Sequence, residues 1–559
     1  MIVLVEAYAY QPSDLDGLID PHYLMPATVG RVKLNYVGYW AEAGQTHSVI
    51  ILPKVFLTRR AGQDYVFDTY TPEDLLTLHT DGPSPVRDRL RAGGQLDFLF
   101  RFSVWLYRAI RQFRQRQSDS ILAERINLLD VSTTGDSALS ELEIVLALVR
   151  FHRDNNTLLT HIKRVGTAQR HTVSWSRTVA RQQPILQNGR PIYAEPVVKQ
   201  KHVNYDEELL VLYLSTLNDL RRQYGFRLEL NPLYPLLTGR EMERFRARAT
   251  RRLRDIRGKY FSDNLLRVWQ LLFLYYDRQE KMRSGRPFRE VLLVRDFNVV
   301  FEDMIDQLLS DPKDHLPVGL KDQPDGKLVD HIYDDVSLLL PDHIYHIGDS
   351  KYYKDGNRID RYSVSKQFTY ARNVIQANVD LLNQNQPNGS RQYRDALTEG
   401  YNPTPNFFIS AVVDKLDFGH AGLDFQDRDS YPDNHHFAGR LFDRDTLLLQ
   451  AYTINFLYVL NAYVAGNGTE RERFRRDTRQ GFRQRLVQHL NGTYNFYRVT
   501  PTAESLDAFV TRHFRLLLGR MYRPSSFTDA ILVALPKDAA TELVAALSES
   551  VMIEPYDLR

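Results

Sequence analysis

The chain has 559 residues, enough for roughly three or four domains and a sizeable core. Hydrophobic residues make up 43% and charged residues 25%, the balance of a soluble globular protein. There is no cysteine, which excludes disulfides, thiolate zinc sites and cysteine nucleophiles and fits a reducing, cytoplasmic setting. Net charge is only +3, but the 72 basic residues are weighted towards arginine, whose fork suits phosphate, so local patches matter more than the balance.

The N-terminus, MIVLVEAYAYQP, has no basic leader region and carries Glu6, so it reads as a first strand. Residues 1–75 are expected to form a β-rich module that either packs or contacts a partner or DNA. Its main signals are strands over Arg31–Trp40 and Ser48–Leu57, joined by a hairpin loop at Glu42–Gln45. Residues 76–285 read as mainly helical. Asp97–Gln117 spaces Phe98, Phe102, Leu106, Ala109 and Phe113 as one helical face, and Leu139–Ile162 continues the pattern. Gln169–Asn204 is polar and contains prolines, as in a long loop or a short extended pair. Arg244–Lys259 holds eight basic residues and one acid, the mark of a solvated face or of a phosphate-contacting helix. Leu265–Tyr276 is apolar almost all round and predicts a buried helix.

Residues 286–414 carry the chemistry. Asn298–Leu309 predicts an amphipathic helix with Glu302 beside its apolar stripe. Gly326–Asp335 and Ile344–Tyr353 predict two strands, Ser363–Leu382 a helix and Asn406–Val413 a buried strand. Helix, strand, strand, helix, strand describes a mixed sheet flanked by helices, and the fold class is α+β multidomain. On the second strand Asp349 and Lys351 share a face. Asp330 lies on the expected partner strand. Two carboxylates and a lysine side by side can hold a divalent metal and steer a water onto a phosphate. Asp330, Asp349 and Glu302 are the candidate ligands, and Lys351 orients the water or stabilises charge on the phosphorane. Gln367 either positions the site or contacts a DNA strand. Asp334, Asp335 and Asp342 compete with Asp330, but Pro341-Asp342 reads as the turn between the strands. His331, His343 and His346 fit no strong zinc spacing. An ordinary salt bridge between Asp349 and Lys351 is the bland alternative.

The C-terminal segment, 415–559, reads as mainly helical. Thr446–Ala465 has the length of a membrane span and no charge, yet Gln450, Thr453, Asn455 and Asn461 interrupt it, so a buried helix and no membrane association are expected. Thr469–Arg485 is a second basic patch. No G-x-x-x-x-G-K-[ST] loop occurs, so this chain itself is not expected to bind a nucleotide in a P-loop, and no G-x-S-x-G or H-E-x-x-H motif is present.

These residues resemble the nuclease subunit of LlaJI-type restriction systems, which is similar in turn to McrC. The resemblance rests on Val329–Tyr333, Ile347–Lys354, Phe301-Glu302 and Lys366–Ala371, together with Asn35–Tyr39, Leu52–Val55 and Trp175–Thr178. It implies a PD-(D/E)xK nuclease core requiring Mg²⁺ (or Mn²⁺), acting on double-stranded DNA in phage defence. A separate McrB-like AAA+ GTPase would be the partner in an oligomeric complex. The first motif reads Val329-Asp330 where the family pattern has Pro-Asp. Two other readings remain open at this stage: a stand-alone RecB-like repair nuclease, and a non-catalytic DNA-binding assembly protein.

Overall fold

The computed structural model describes residues 2–28, 30–42, 48–79, 84–117, 140–155, 158, 161–166, 172–283, 289–322, 328–354, 357, 359–383, 395, 397–425, 439–443, 446, 448–465, 468–547 and 551–559. The fold is α+β, with several sheets separated by helical layers.

The first sheet runs in the order Ile2–Val5, Val49–Leu52, Tyr36–Glu42, Arg289–Arg295. Its first pair is parallel and the others antiparallel. Alternation along these strands feeds two cores. Val3, Val37, Tyr39 and Ile50 face the large core shared with the helices, while Leu4, Trp40, Ile51 and Leu293 face a smaller one. Gly38 is needed for the contact with the fourth strand: a Cβ there would stand 2.0 Å from the Leu292 carbonyl oxygen, and its φ is 141°. Each expected strand is split: Arg31–Trp40 covers Val32–Leu34 and most of Tyr36–Glu42, and Ser48–Leu57 covers Val49–Leu52, a 3-10 turn at Lys54–Phe56 and the start of Leu57–Arg60, the pieces lying in different sheets, while most of the hairpin loop lies outside the described residues.

The helical middle consists chiefly of Gln95–Gln117, Glu141–Asp154, Glu208–Tyr224 and Asp263–Arg283. The second begins at a capping box, in which the Ser140 hydroxyl accepts from the Glu143 amide at 3.1 Å and the Glu143 carboxylate accepts from the Ser140 amide at 3.0 Å. The segment read as a loop or an extended pair contains more structure: a helix at Trp175–Arg181, a hairpin of Ile185–Gln187 with Arg190–Ile192, and strand Val198–Val203. Its polar composition hid these because Trp175, Ile185 and Leu186 are exposed, so no buried periodicity marks them.

The central mixed sheet runs His331–Val336, His343–Lys351, Asn406–Val412, Leu449–Asn455, Asp424–Phe425. Its two middle pairings are parallel and its edge pairings antiparallel. Helix Arg361–Asn383 covers one face, and Asn298–Leu309 with Phe456–Val464 cover the other. Leu449–Asn455 corrects the expectation of one helix across Thr446–Ala465: half is a buried strand and half a helix. Strand and helix are equally apolar here, and periodicity cannot separate two short buried elements. Asn455 marks the change, since its side chain accepts from the Leu457 amide at 3.1 Å as the helix cap. Among the described residues no helix is long and apolar enough to cross a membrane.

The C-terminal segment is also corrected. Helix Gly468–Thr493 leads into a four-stranded antiparallel sheet, Met521–Tyr522, Ile531–Pro536, Tyr494–Pro501 and Val551–Pro555, with helices Leu506–Leu517 and Ala540–Leu547. It is therefore mixed rather than mainly helical.

Candidate active site

Pairing of the two site strands ends with His331 opposite Gly348, so Asp330 stands just before its strand rather than on it as expected, directly beyond the last pair and beside Asp349. Gly348 is required there, because a Cβ would lie 2.1 Å from the Phe407 ring on the adjacent strand. Two residues on, Lys351 Nζ donates to Asp349 Oδ2 at 2.6 Å, and the ammonium also lies 5.3 Å above the Phe408 ring. The side chain of Asp349 is 4% exposed and that of Lys351 13%, so this is a desolvated pair rather than a surface bridge. Glu302 approaches from the helix Asn298–Leu309.

The electrostatics show how crowded the acids are. Burial, reinforced by the charges of Glu302 and Asp349 and a carboxyl–carboxyl hydrogen bond to Asp349, holds Asp330 well above the usual carboxylate range. Burial also raises Glu302, with Asp349 adding to the effect and His331 opposing it. A third acid, Asp306, behaves oppositely: burial would raise it, but His331 and Lys321 beside it bring it down to about 2. Asp306 is thus held as an anion next to two acids whose ionisation is disfavoured.

Sequence reasoning missed Lys366. This lysine lies one residue before Gln367 on the covering helix, 5.1 Å from the Tyr370 ring, and the carboxylates of Asp330 and Asp349 raise its pKa against the effect of burial. The signal was the Lys366…Tyr370 spacing of one helical turn. Gln367 itself is buried and donates to Asn406 Oδ1 at 2.7 Å, bracing the start of the next strand. Asn378 fixes the same helix to the site strand, accepting from the Tyr345 amide at 2.7 Å and donating to its carbonyl at 2.8 Å.

The competing acids lie towards the far end of the hairpin. Asp334 pairs with His343 at 3.1 Å, Asp335 accepts from the Val336 amide, and Asp342 is an exposed turn residue. His331 and His346 are buried and His343 is exposed.

The second basic patch is partly consumed by structure. Arg479 donates to Leu309 O at 2.6 Å, Asp311 Oδ1 at 2.7 Å and Asp334 O at 3.3 Å, and its guanidinium lies 4.3 Å from the Tyr333 ring centroid. It ties the end of the Glu302 helix to the strand His331–Val336. Arg483 donates to the carbonyls of Val336 and Ser337. The first patch is also partly neutralised, since Arg252 and Lys259 share Glu208 and Arg246 meets Asp219.

Among the described residues no three His, Asp or Glu side chains form a ready-made metal cage. The oxygen-only donors Asp330 and Asp349, with Glu302 beside them, nevertheless fit a hard cation that keeps most of its waters. Their crowding is the kind of repulsion such a cation relieves.

No curated protein matches the chain. Residues 106–353, which include Glu302, Asp330, Asp349 and Lys351, match the family model of the LlaJI restriction endonuclease, and this stretch is accordingly similar to a LlaJI-type restriction endonuclease.

Proposed function

We propose that the chain is a metal-dependent DNA endonuclease subunit with a PD-(D/E)xK core over about residues 286–414, working in the cytoplasm with a McrB-like AAA+ GTPase in an oligomeric restriction complex. The observation that carries this reading is the buried pair in which Lys351 bonds Asp349 at 2.6 Å, with Asp330 just beyond the end of the pairing between the two strands. It is supported by the family match over the same residues.

Asp330 and Asp349, aided by Glu302, would hold Mg²⁺ or Mn²⁺. When bound, such an ion polarises the phosphate and lowers the pKa of a water. The chain's own residues do the rest. Lys351 keeps a positive charge within reach of the reacting phosphate and neutralises the charge that builds on the phosphorane. Lys366 adds a second cation on the helix side. Gln367 and Asn378 fix the helix that carries it. Double-stranded DNA is the substrate, and recognition and movement along it are assigned to the partner.

The test is cleavage of double-stranded DNA by the full chain, with Mg²⁺ or EDTA, and with or without the GTPase and GTP. Cleavage that needs both the metal and the partner is expected. Efficient cleavage by the chain and Mg²⁺ alone overturns the partner-coupled reading, and cleavage in EDTA overturns the metal.

A further inference from the structure

Lys351 is followed directly by Tyr352, whose side chain points away from the acids into the junction with the N-terminal module. The Tyr352 hydroxyl donates to Glu6 Oε2, 346 residues earlier in the chain. The Lys54 backbone amide donates to both groups, to the Tyr352 oxygen at 3.1 Å and to Glu6 Oε2 at 3.0 Å. Glu6 itself is tied to its sheet, its amide donating to Leu52 O at 2.9 Å. Lys54 Nζ lies 4.6 Å from the Tyr352 ring centroid. Tyr352 and Glu6 are 3% and 5% exposed, so their polar atoms have no water to fall back on. The ring of Tyr352 meets Phe297 and Phe301 at centroid distances of 5.5 and 6.2 Å, and Phe301 adjoins Glu302. One side chain therefore touches the strand of Lys351, the helix of Glu302 and the N-terminal sheet.

We propose that Glu6, Lys54 and Tyr352 form a latch through which the N-terminal module positions Lys351 and the Glu302 helix for catalysis, making Tyr352 and Glu6 positioning residues. The proposal rests on the nuclease reading above. It brings Lys54 and Tyr352, about 300 residues apart, together at one buried hydrogen-bonded point. It also gives the N-terminal module a defined mechanical link to the acids, because a shift of the sheet at Glu6 moves the residue next to Lys351. A buried hydrogen bond fixes direction as well as distance, and misplacing a catalytic group by about 1 Å can cost on the order of a hundredfold in rate.

Tyr352→Phe removes the hydroxyl and keeps the ring against Phe297 and Phe301. Glu6→Ala removes the acceptor, and Glu6→Gln restores a neutral one. Tyr213→Phe, which deletes a buried hydroxyl donating to Leu148 O at 2.9 Å in the helical middle, serves as the control for simple loss of a buried hydrogen bond. All are measured as the full chain with its metal and partner, by kcat and KM for DNA cleavage and by thermal unfolding. The latch predicts that Tyr352→Phe and Glu6→Ala each lower kcat by about tenfold or more with KM for DNA unchanged. It predicts no further loss in the double variant and substantial recovery with Glu6→Gln. It predicts that Tyr213→Phe lowers the melting temperature without that fall in kcat. Wild-type kcat in Tyr352→Phe and Glu6→Ala overturns the latch, as does a loss equal to that of Tyr213→Phe at matched stability. Loss of the nuclease reading would show separately, as undiminished cleavage by Lys351→Ala.

Discussion

Replacing Arg479 by alanine tests how the C-terminal segment supports the acids. The guanidinium bonds Leu309 O through Nε at 3.1 Å and through Nη2 at 2.6 Å, Asp311 at 2.7 Å and Asp334 O at 3.3 Å. Its side chain is 16% exposed and that of Asp311 20%, so solvent screens the pair only in part. Charge-assisted hydrogen bonds contribute about 1.5–3 kcal/mol each, and they are not additive around one group. Asp311 keeps one partner after the change, because its other oxygen accepts from the Asp334 amide at 2.6 Å. The expected loss is therefore about 3 kcal/mol, concentrated where the helix end meets the strand. Native-state hydrogen exchange reads it locally: amides of 331–336 should exchange roughly a hundredfold faster, with little change in the sheet of 494–501. Arg479→Lys keeps charge but not the fork and should recover part of the protection. Unchanged protection at 331–336 would refute the reasoning, as would a loss spread evenly over the chain.

Two further predictions follow from buried acids. Asp330 has its pKa raised in the fold, so the folded state loses stability as pH rises from the unfolded carboxyl value up to the raised one and stays penalised above it; Asp330→Asn should therefore stabilise the metal-free protein at pH 8 in denaturant titration and abolish stabilisation by Mg²⁺. Greater stability of the unsubstituted metal-free protein would contradict this. Glu290 lies in the first sheet beside Arg278 at 2.9 Å, and burial raises its pKa to about 7. Between its unfolded value and about 7 the folded state holds the extra proton, so stability falls by about 3 kcal/mol as pH rises through that window and is level above it. Glu290→Gln should remove most of that slope, and an unaltered slope would place the proton elsewhere.

The arrangement of the candidate site was legible because its parts are close in sequence and follow strong local rules. Asp349 and Lys351 share a face by strand alternation, and Asp330 lies within reach of one hairpin. The amphipathic stripe around Glu302 gave its helix nearly to the residue. What was hidden depends on long-range meetings. Arg289–Arg295 joins a sheet whose other strands all lie before residue 53, and no periodicity announces such a partner. Glu6 and Tyr352 looked like an ordinary strand acid and an ordinary aromatic. Arg479 read as one arginine in a charge run, and only the carbonyls it caps show that it is structural. The strand at Leu449–Asn455 was masked by the helix that follows it, since both are apolar throughout.

The central claim is that Asp349 and Lys351 form a cutting pair and not a salt bridge that merely closes a strand edge. Steady-state cleavage by Lys351→Ala, with the metal and partner present, tests it most directly. The account predicts a fall in kcat on the order of a hundredfold or more, with fold and DNA binding retained. Cleavage at the unsubstituted rate by a folded, DNA-binding Lys351→Ala protein would contradict it.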